Sequence, residues 1–146
     1  MKEGQHIVCP HCDQVNRIPS GKASEDAVCG RCQRKLFEGK PVELDAARLE
    51  KHATRNDIPV IVDFWAPWCG PCRAMAPIFE QGAKDLEPRA RFIKVNVDEN
   101  PDAAARYGVR GIPALFAIKH GRVEAQQAGL VDGHVLASWV NELSAS

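Results

Sequence analysis

Apolar residues are spaced differently in successive parts of the chain, and each spacing predicts a different element. The run Pro59–Trp65 is almost wholly apolar and rich in β-branched and aromatic residues, which predicts a strand buried on both faces. A similar run at 92–97 predicts another strand. Residues 70–86 between them are predicted to form a helix, and Pro77 inside it predicts a kink or local break because proline removes a backbone donor.

The other predicted elements are shorter and all follow residue 40. They are a strand at 42–44, helices at 46–52, 101–105 and about 132–144, and a hairpin of strands at 114–118 and 123–128. Asp45 is placed to cap the first of these helices, and Asn56-Asp57 to end it. The order of strands and helices predicts an α/β fold with a mixed sheet covered by helices on both faces.

Residues 1–40 have a different composition from the rest of the chain. They contain four of the six cysteines and few large apolar side chains. A unit of about 40 residues usually needs a metal, disulfides or a partner surface to remain folded. We therefore predict a small cysteine-rich domain at 1–40 and an α/β domain at 41–146.

The four N-terminal cysteines form two C-x-x-C pairs separated by sixteen residues, a spacing typical of tetrahedral zinc sites. The predicted ligands of one structural zinc ion are Cys9, Cys12, Cys29 and Cys32. Two disulfides are the alternative, although a reducing cytosol opposes them. A second alternative is that His6 or His11 replaces one of the thiolates.

The third pair, Cys69-Gly70-Pro71-Cys72, lies where the strand ending at Trp65 passes into the helix at 70–86. Unpaired N–H groups and the positive end of the helix dipole favour a thiolate at Cys69, so its pKa is expected below the free value of about 8.5. Cys72 lies one turn into the helix and is close enough to form a disulfide with Cys69. The pair is predicted to be a two-electron dithiol/disulfide couple.

The overall composition excludes several other classes of function. Nineteen basic residues balance nineteen acidic ones, so no global field attracts nucleic acid or a membrane surface. The longest apolar runs are far shorter than the roughly 18 residues of a membrane span. Met1–His6 leads into no signal-peptide core, and the chain is expected to remain in the cytosol.

With these motifs in place, the region from about residue 41 to 146 resembles the thioredoxin family. The matching segments, in the family's order, are 62–66, 68–72, 97–101, 107–113 and Gly129. The additional N-terminal pairs resemble those of a smaller bacterial subgroup, the zinc-ribbon-bearing thioredoxin 2 type. Arg73 and Ala114 depart from the common family pattern, which bears on substrate preference and not on the thiol chemistry.

The resemblance implies a role for each residue of the dithiol motif. Cys69 resembles the nucleophile that attacks a client disulfide, and Cys72 resembles the thiol that resolves the mixed disulfide. The intervening Gly70 and Pro71 match the reducing members of the superfamily, so disulfide reduction in client proteins is the expected direction.

Asp63 and Lys94 are predicted to assist this chemistry. A carboxylate among the apolar residues of its strand should be desolvated, which raises its pKa and lets it exchange protons near neutrality. The resemblance implies that Asp63 helps to deprotonate Cys72, while Lys94 tempers its charge. The alternatives are an Asp63 at the strand end in water and a Lys94 that points to solvent.

The remaining predicted site residues resemble the family's substrate-docking surface. Pro113 resembles a cis-proline that faces the dithiol and exposes the backbone of Ile112 to an extended client segment. Trp68 is expected on the apolar rim, and Gly111 and Gly129 to allow close backbone approach. A trans loop proline, a core tryptophan and glycines with a purely conformational role are the alternatives.

The resemblance also implies partners and cofactors. A flavoprotein thioredoxin reductase that uses NADPH would recycle the protein, and no flavin or nicotinamide site is expected in this chain. We expect a monomer that acts on disulfide-containing client proteins and binds neither a membrane nor nucleic acid. Two other hypotheses concern residues 1–40, which could deliver the redox domain to a partner or release zinc on oxidation as a sensor or holdase.

Overall fold

A computed structural model of the chain describes residues 4–144, which form two sheets and four α-helices. The strands are Gly4–Val8 (β1), Val15–Pro19 (β2), Val42–Glu43 (β3), Val60–Trp65 (β4), Arg91–Asn96 (β5), Ala114–Lys119 (β6) and Arg122–Ala128 (β7). The helices are Ala46–Arg55 (α1), Gly70–Leu86 (α2), Pro101–Arg106 (α3) and Gly133–Ser144 (α4), and Ser24–Asp26 forms a short 3-10 turn.

The larger sheet has the strand order β3-β5-β4-β6-β7. Strands β3, β5 and β4 are parallel, and β6 and β7 are antiparallel to their neighbours. The predicted mixed sheet is confirmed, and β4 lies at its centre, as expected from its apolar sequence. The Asp45 side chain caps α1 by accepting a hydrogen bond of 2.9 Å from the N–H of Arg48.

The helix at 70–86 differs from expectation in one respect. Of the kink or local break predicted at Pro77, the break is wrong, because α2 runs without interruption from Gly70 to Leu86. Proline removes the hydrogen bond that its own N–H would give to the carbonyl of Arg73, and its ring crowds that carbonyl, but packing of the helix against the sheet outweighs this local cost.

Helices cover both faces of the sheet, as predicted. Helices α1 and α3 pack over one face, where the rings of Phe64 and Phe116 meet edge to face with centroids 5.2 Å apart. Helices α2 and α4 pack over the other face, where the ring centroids of Phe79 in α2 and Phe92 in β5 are 5.0 Å apart. The side chains of Asp63 and Trp65 lie on this second face, since residues of a strand alternate between faces and Ile61 packs there.

The N-terminal ribbon, residues 4–40, is an antiparallel β1–β2 hairpin followed by loops, with a small core of its own. Ile7, Ile18, Leu36 and Phe37 are buried in it, together with Ile58 from the segment before β4. Each buried side chain contributes about 1.5–3 kcal/mol, whereas each residue that is ordered costs about 1–2 kcal/mol of backbone entropy. This core is therefore too small to hold the ribbon without further support.

One such support is Arg91, the first residue of β5, which is only 2% exposed. Its Nη2 donates to the carbonyl oxygens of Leu36 at 2.8 Å and Val8 at 3.2 Å. Its guanidinium lies 4.6 Å from the centroid of the Phe37 ring, and Nη1 is 3.4 Å from the buried carboxylate of Glu87. Arg91 thus joins the ribbon to the larger sheet through buried polar contacts.

A second set of contacts joins the ribbon to α1. Asp13 accepts hydrogen bonds from Arg48 at 2.8 and 3.0 Å and pairs with Nε2 of His52 at 2.9 Å. Arg48 also donates to the carbonyl oxygen of Pro10 at 2.9 Å. Burial lowers the pKa of His52 to about 4, so this imidazole is neutral at physiological pH.

These contacts place the ribbon away from the dithiol. Arg91 begins β5 and Ile58 precedes β4, so the ribbon packs at the ends of the strands where they start. Cys69 follows the opposite end of β4. The ribbon therefore leaves the dithiol end of the sheet uncovered.

Candidate redox site and metal centre

The dithiol lies at the junction of β4 and α2. Cys69 is the N-cap residue of α2, and its Sγ accepts a hydrogen bond of 3.2 Å from the N–H of Cys72. The two sulfurs are joined in a disulfide with the Cα atoms 5.2 Å apart, and each residue is 4% exposed. Gly70 and Pro71 form the first turn of the helix. Upon reduction, the same N–H groups and helix dipole favour a thiolate at Cys69.

The loop before β6 faces the dithiol. The Ile112–Pro113 peptide bond is cis, and the Ile112 carbonyl oxygen lies 3.7 Å from Cys69 Sγ. The N–H of Gly129 donates to the Pro113 carbonyl at 2.7 Å, while Gly111 is exposed in the same loop. Gly129 has φ of +91°, a conformation that favours glycine. The structure therefore places Ile112 against Cys69 and Gly129 against Pro113, although these residues are far apart in the sequence.

Trp68 lies beside the disulfide and is 66% exposed, so the alternative of a core tryptophan is wrong. Its Nε1 donates to Asp98 at 2.9 Å, which fixes the indole against the surface. Trp65 instead packs against the buried Ala66, Cys69 and Cys72. No local pattern predicts this role for Asp98, because its contact with Trp68 spans thirty positions.

Asp63 is fully buried in the middle of the sheet, which rules out the alternative of a carboxylate in water. Neither of its carboxylate oxygens has a hydrogen-bond partner within the described residues. Desolvation raises the pKa of Asp63 to about 7, although Lys94 lowers it in part and Glu43 raises it further. The carboxyl group can therefore gain or lose a proton near neutral pH.

Lys94 is the direct neighbour of Asp63 in the register between β4 and β5. The residue is half-buried, and its Nζ lies 4.6 Å from the centroid of the Trp65 ring. An ammonium over an indole face makes a favourable cation–π contact. Lys94 is therefore held against the sheet and does not extend freely into solvent.

The four N-terminal cysteines meet at one point. All four Sγ atoms lie within 4.8 Å of one another, with 3.6 Å between Cys9 and Cys32 and between Cys12 and Cys29. None of the four forms a disulfide, so the two-disulfide alternative is wrong. Zinc–sulfur bonds of about 2.3 Å in a tetrahedron require sulfurs about 3.8 Å apart, which agrees with the observed spacing.

The pKa values of these thiols are also consistent with a bound metal cation. Burial raises the pKa of Cys9 to about 12. Burial acts in the same direction on Cys29, but hydrogen bonds outweigh it and lower its pKa to about 6; the largest come from the N–H of Cys32, the Asn16 side chain and the N–H of Arg31. One thiolate is therefore tolerated among its neighbours, and a metal would allow all four to ionise.

Neither histidine near these cysteines belongs to the cluster. His6 Nδ1 lies 3.2 Å from Asp57, and His11 Nε2 lies 3.0 Å from Glu38. Both alternatives in which a histidine replaces a thiolate are therefore wrong. The N–H groups of His11 and Arg31 instead point to the sulfurs of Cys9 and Cys29, at 3.3 Å each.

No helix within residues 4–144 is long and apolar enough to cross a membrane. The α/β fold and a disulfide-bonded C-x-x-C pair at a helix start define a protein-disulfide oxidoreductase. The family model for thioredoxin matches residues 40–142, and the model for the N-terminal domain of thioredoxin 2 matches residues 8–34. The chain belongs to the thioredoxin family.

Curated relatives and solved structures agree with this assignment. Thioredoxin C-3 of Corynebacterium nephridii is 35% identical over 136 residues, which are 93% of each chain. The thioredoxin of Haemophilus influenzae is 40% identical over 101 residues, 69% of this chain and 94% of its own length. A mutant thioredoxin from Halobacterium salinarum superposes with a TM-score of 0.67 and 32% identity, covering 74% of this chain and 94% of the other.

Proposed function

We propose that this chain reduces disulfides in client proteins through a mixed disulfide at Cys69. The Cys69 thiolate attacks one sulfur of the client disulfide, and the other client sulfur leaves as a thiolate. Cys72, once deprotonated, attacks Cys69 Sγ, which expels the second client thiolate and forms the Cys69–Cys72 disulfide. Two electrons pass to the client in this sequence. The observation that carries the proposal is the position of Cys69 Sγ at the N-terminus of α2.

The surrounding residues have supporting roles in this proposal. Asp63 accepts the proton of Cys72, since it is buried on the face of the sheet that α2 covers and has a pKa of about 7. Lys94 limits the proton affinity of Asp63. Gly70 and Pro71 shape the helix start that activates Cys69.

The client is proposed to bind along the loop that faces the disulfide. The cis bond at Pro113 and the nearby carbonyl of Ile112 support pairing with an extended client segment. Exposed Trp68 supplies an apolar rim. Gly111 and Gly129 flank this loop and carry no side chain that would obstruct the approach of the client backbone.

We further propose that residues 1–40 and 41–146 act as two domains, with one structural zinc ion held by the four N-terminal cysteines. The ion would fix the ribbon and has no part in thiol exchange. The proposed source of electrons is an NADPH-dependent thioredoxin reductase, with no flavin or nicotinamide bound in this chain. The proposed form is a cytoplasmic monomer.

Replacement of Cys69 tests the mechanism directly. Cys69→Ser removes the nucleophile, so we expect insulin-disulfide reduction to fall at least about 100-fold. Cys72→Ser is the matched variant, since it leaves the nucleophile and should accumulate a covalent adduct with the client. Mass spectrometry would detect that adduct, and normal turnover by the Cys69→Ser protein would contradict the mechanism.

A further inference from the structure

Three charged residues form a row across the parallel strands of the sheet. Glu43 of β3 is paired with Lys94 of β5, and Lys94 is paired with Asp63 of β4. Paired residues of neighbouring strands project from the same face, so the order across this face is carboxylate, ammonium, carboxylate. Lys94 therefore lies between two acidic groups.

The Trp65 side chain connects two members of this row, Glu43 and Lys94. Its Nε1 donates a hydrogen bond of 3.0 Å to Glu43 Oε2, and Lys94 Nζ lies over its ring at 4.6 Å. Glu43 thus anchors the indole on which the ammonium rests. Trp65 also packs against the buried dithiol, so the row extends from the edge of the sheet to the redox site.

We propose that Glu43 is a positioning residue for the resolving step, and that its charge, acting with Lys94, sets the proton affinity of Asp63. This inference rests on the proposed role of Asp63 as proton acceptor for Cys72. The negative charge of Glu43 opposes ionisation of Asp63 and offsets the positive charge of Lys94. Both effects favour the protonated form of Asp63.

The remaining surroundings of Asp63 contribute little charge. On β6 the direct neighbour of Asp63 is the apolar Leu115. The first turn of α2 contributes Cys72, which packs against Trp65. The other titratable side chains of α2 and α4 are all exposed; they are Arg73, Glu80, Lys84, Asp85, His134 and Glu142. Glu43 is itself exposed, yet desolvation raises its pKa. The Trp65 hydrogen bond and the charge of Lys94 lower it, and the charge of Glu99 raises it further.

The substitution Glu43→Gln separates charge from structure, because glutamine retains an oxygen that can accept the Trp65 hydrogen bond. Two strand spacings, about 10 Å, separate Glu43 from Asp63. A unit charge at that distance shifts a titration by about 0.3 pH unit at the dielectric constant of water and about 1.2 at an effective value of about 20; because Glu43 is exposed, we expect about 0.5. The Asp63 carboxyl carbon, followed by NMR in the oxidised protein, should therefore titrate about 0.5 pH unit lower. The pH profile of single-turnover insulin reduction should move in the same direction.

Glu80→Gln is the matched control, since it removes an exposed carboxylate from α2 without touching the row. Its Asp63 midpoint should equal that of the unaltered protein. An unchanged or raised midpoint in the Glu43→Gln protein would overturn the proposal. A shift seen with Glu43→Ala and absent with Glu43→Gln would also overturn it, because the lost hydrogen bond and not the charge would then be responsible.

This test remains distinct from the test of the reduction mechanism. The NMR midpoint does not depend on turnover, so it can be read even if Cys69→Ser retains activity and the proposed function fails. Conversely, complete loss of activity in Cys69→Ser together with an unmoved midpoint in Glu43→Gln would remove only the role of Glu43.

Discussion

The ribbon and the redox site both contain C-x-x-C pairs, and the backbone beyond the second cysteine distinguishes them. In the ribbon, the next residues are Asp13 and Gln33, with φ of 66° and 68°. This left-handed conformation turns the chain back. The N–H groups of Cys9 and Cys29 then donate to the carbonyls five residues later, at 2.9 and 2.8 Å.

At the redox site the corresponding residue is Arg73, which continues into α2. The N–H after each of the three pairs donates to the carbonyl of its first cysteine, at 3.0, 3.0 and 3.3 Å, but at Arg73 the chain then continues as a helix. The first cysteine of all three pairs accepts a backbone hydrogen bond at sulfur. In the ribbon, the turn back lets two pairs face one another, whereas the helix leaves Cys69 and Cys72 to pair only with each other. The same four-residue motif therefore gives a ligand set or a redox couple according to the residue that follows it.

The largest expected effect comes from removing the metal-binding capacity of the ribbon. Structural zinc contributes about 10 kcal/mol or more to small modules, so Cys9→Ser should lose stoichiometric zinc and amide protection across residues 5–37. Residues 60–119 should remain protected, and insulin reduction should continue because the dithiol is at the other end of the sheet. Metal analysis and hydrogen exchange would measure both outcomes.

The matched control for Cys9→Ser is the double replacement of Cys69 and Cys72 by Ser, which should retain zinc and lose reduction. If both variants lost zinc, or if both lost reduction equally, the two kinds of cysteine pair would not be functionally separate.

Arg91→Ala should have the next largest effect, at about 3–5 kcal/mol of unfolding free energy. The substitution leaves the carboxylate of Glu87 buried without its partner and removes the donors to Leu36 and Val8. Urea denaturation measures the loss. Arg89→Ala, at an exposed position two residues away, should change the free energy of unfolding by less than about 0.5 kcal/mol. Equal losses in the two variants would refute the role of Arg91 in holding the ribbon to the larger sheet.

Asp63→Asn should stabilise the protein, by about 2–4 kcal/mol at pH 8. The folded pKa of about 7 lies above the ordinary value of 3.8, so the native state binds more protons than the unfolded state between these pH values. Stability of the unaltered protein therefore falls as pH rises from about 4 to 7. Asparagine stays uncharged, so the difference between the two proteins should be near zero at pH 4 and should reach a plateau above pH 7.

Urea denaturation of the oxidised proteins at several pH values would measure this difference. A constant difference between pH 4 and pH 8 would show that ionisation of Asp63 has no part in it. His52 of α1 offers a contrast, because burial lowers its pKa to about 4 and its neutral form contributes stability that is lost as the pH falls through that value.

Local sequence was sufficient for most elements and for both sets of cysteines. The apolar run of β4, the cap at Asp45 and the spacing of the four N-terminal cysteines each have a physical cause within a few residues. Pro77 does not interrupt α2, because the buried side chains of that helix outweigh the unfavourable helix propensity of one residue. Packing of that kind is a property of the folded chain.

The contacts that sequence did not reveal are the long-range ones. Glu43 joins the row with Lys94 and Asp63 only through the register of three strands, and no local pattern encodes that register. Arg91 has the sequence appearance of an ordinary strand-end cation, and its burial depends on a ribbon more than fifty residues earlier. Charged residues of this kind show their role only when their neighbours are known.

Arg91 also has a consequence for biosynthesis. The Leu36 carbonyl precedes the guanidinium that binds it by 55 positions, which a ribosome adding about 5–20 residues per second takes about 3–11 s to translate. Throughout that interval the ribbon lacks the Arg91 guanidinium that binds its carbonyl groups. The final packing of the ribbon therefore follows the synthesis of β5.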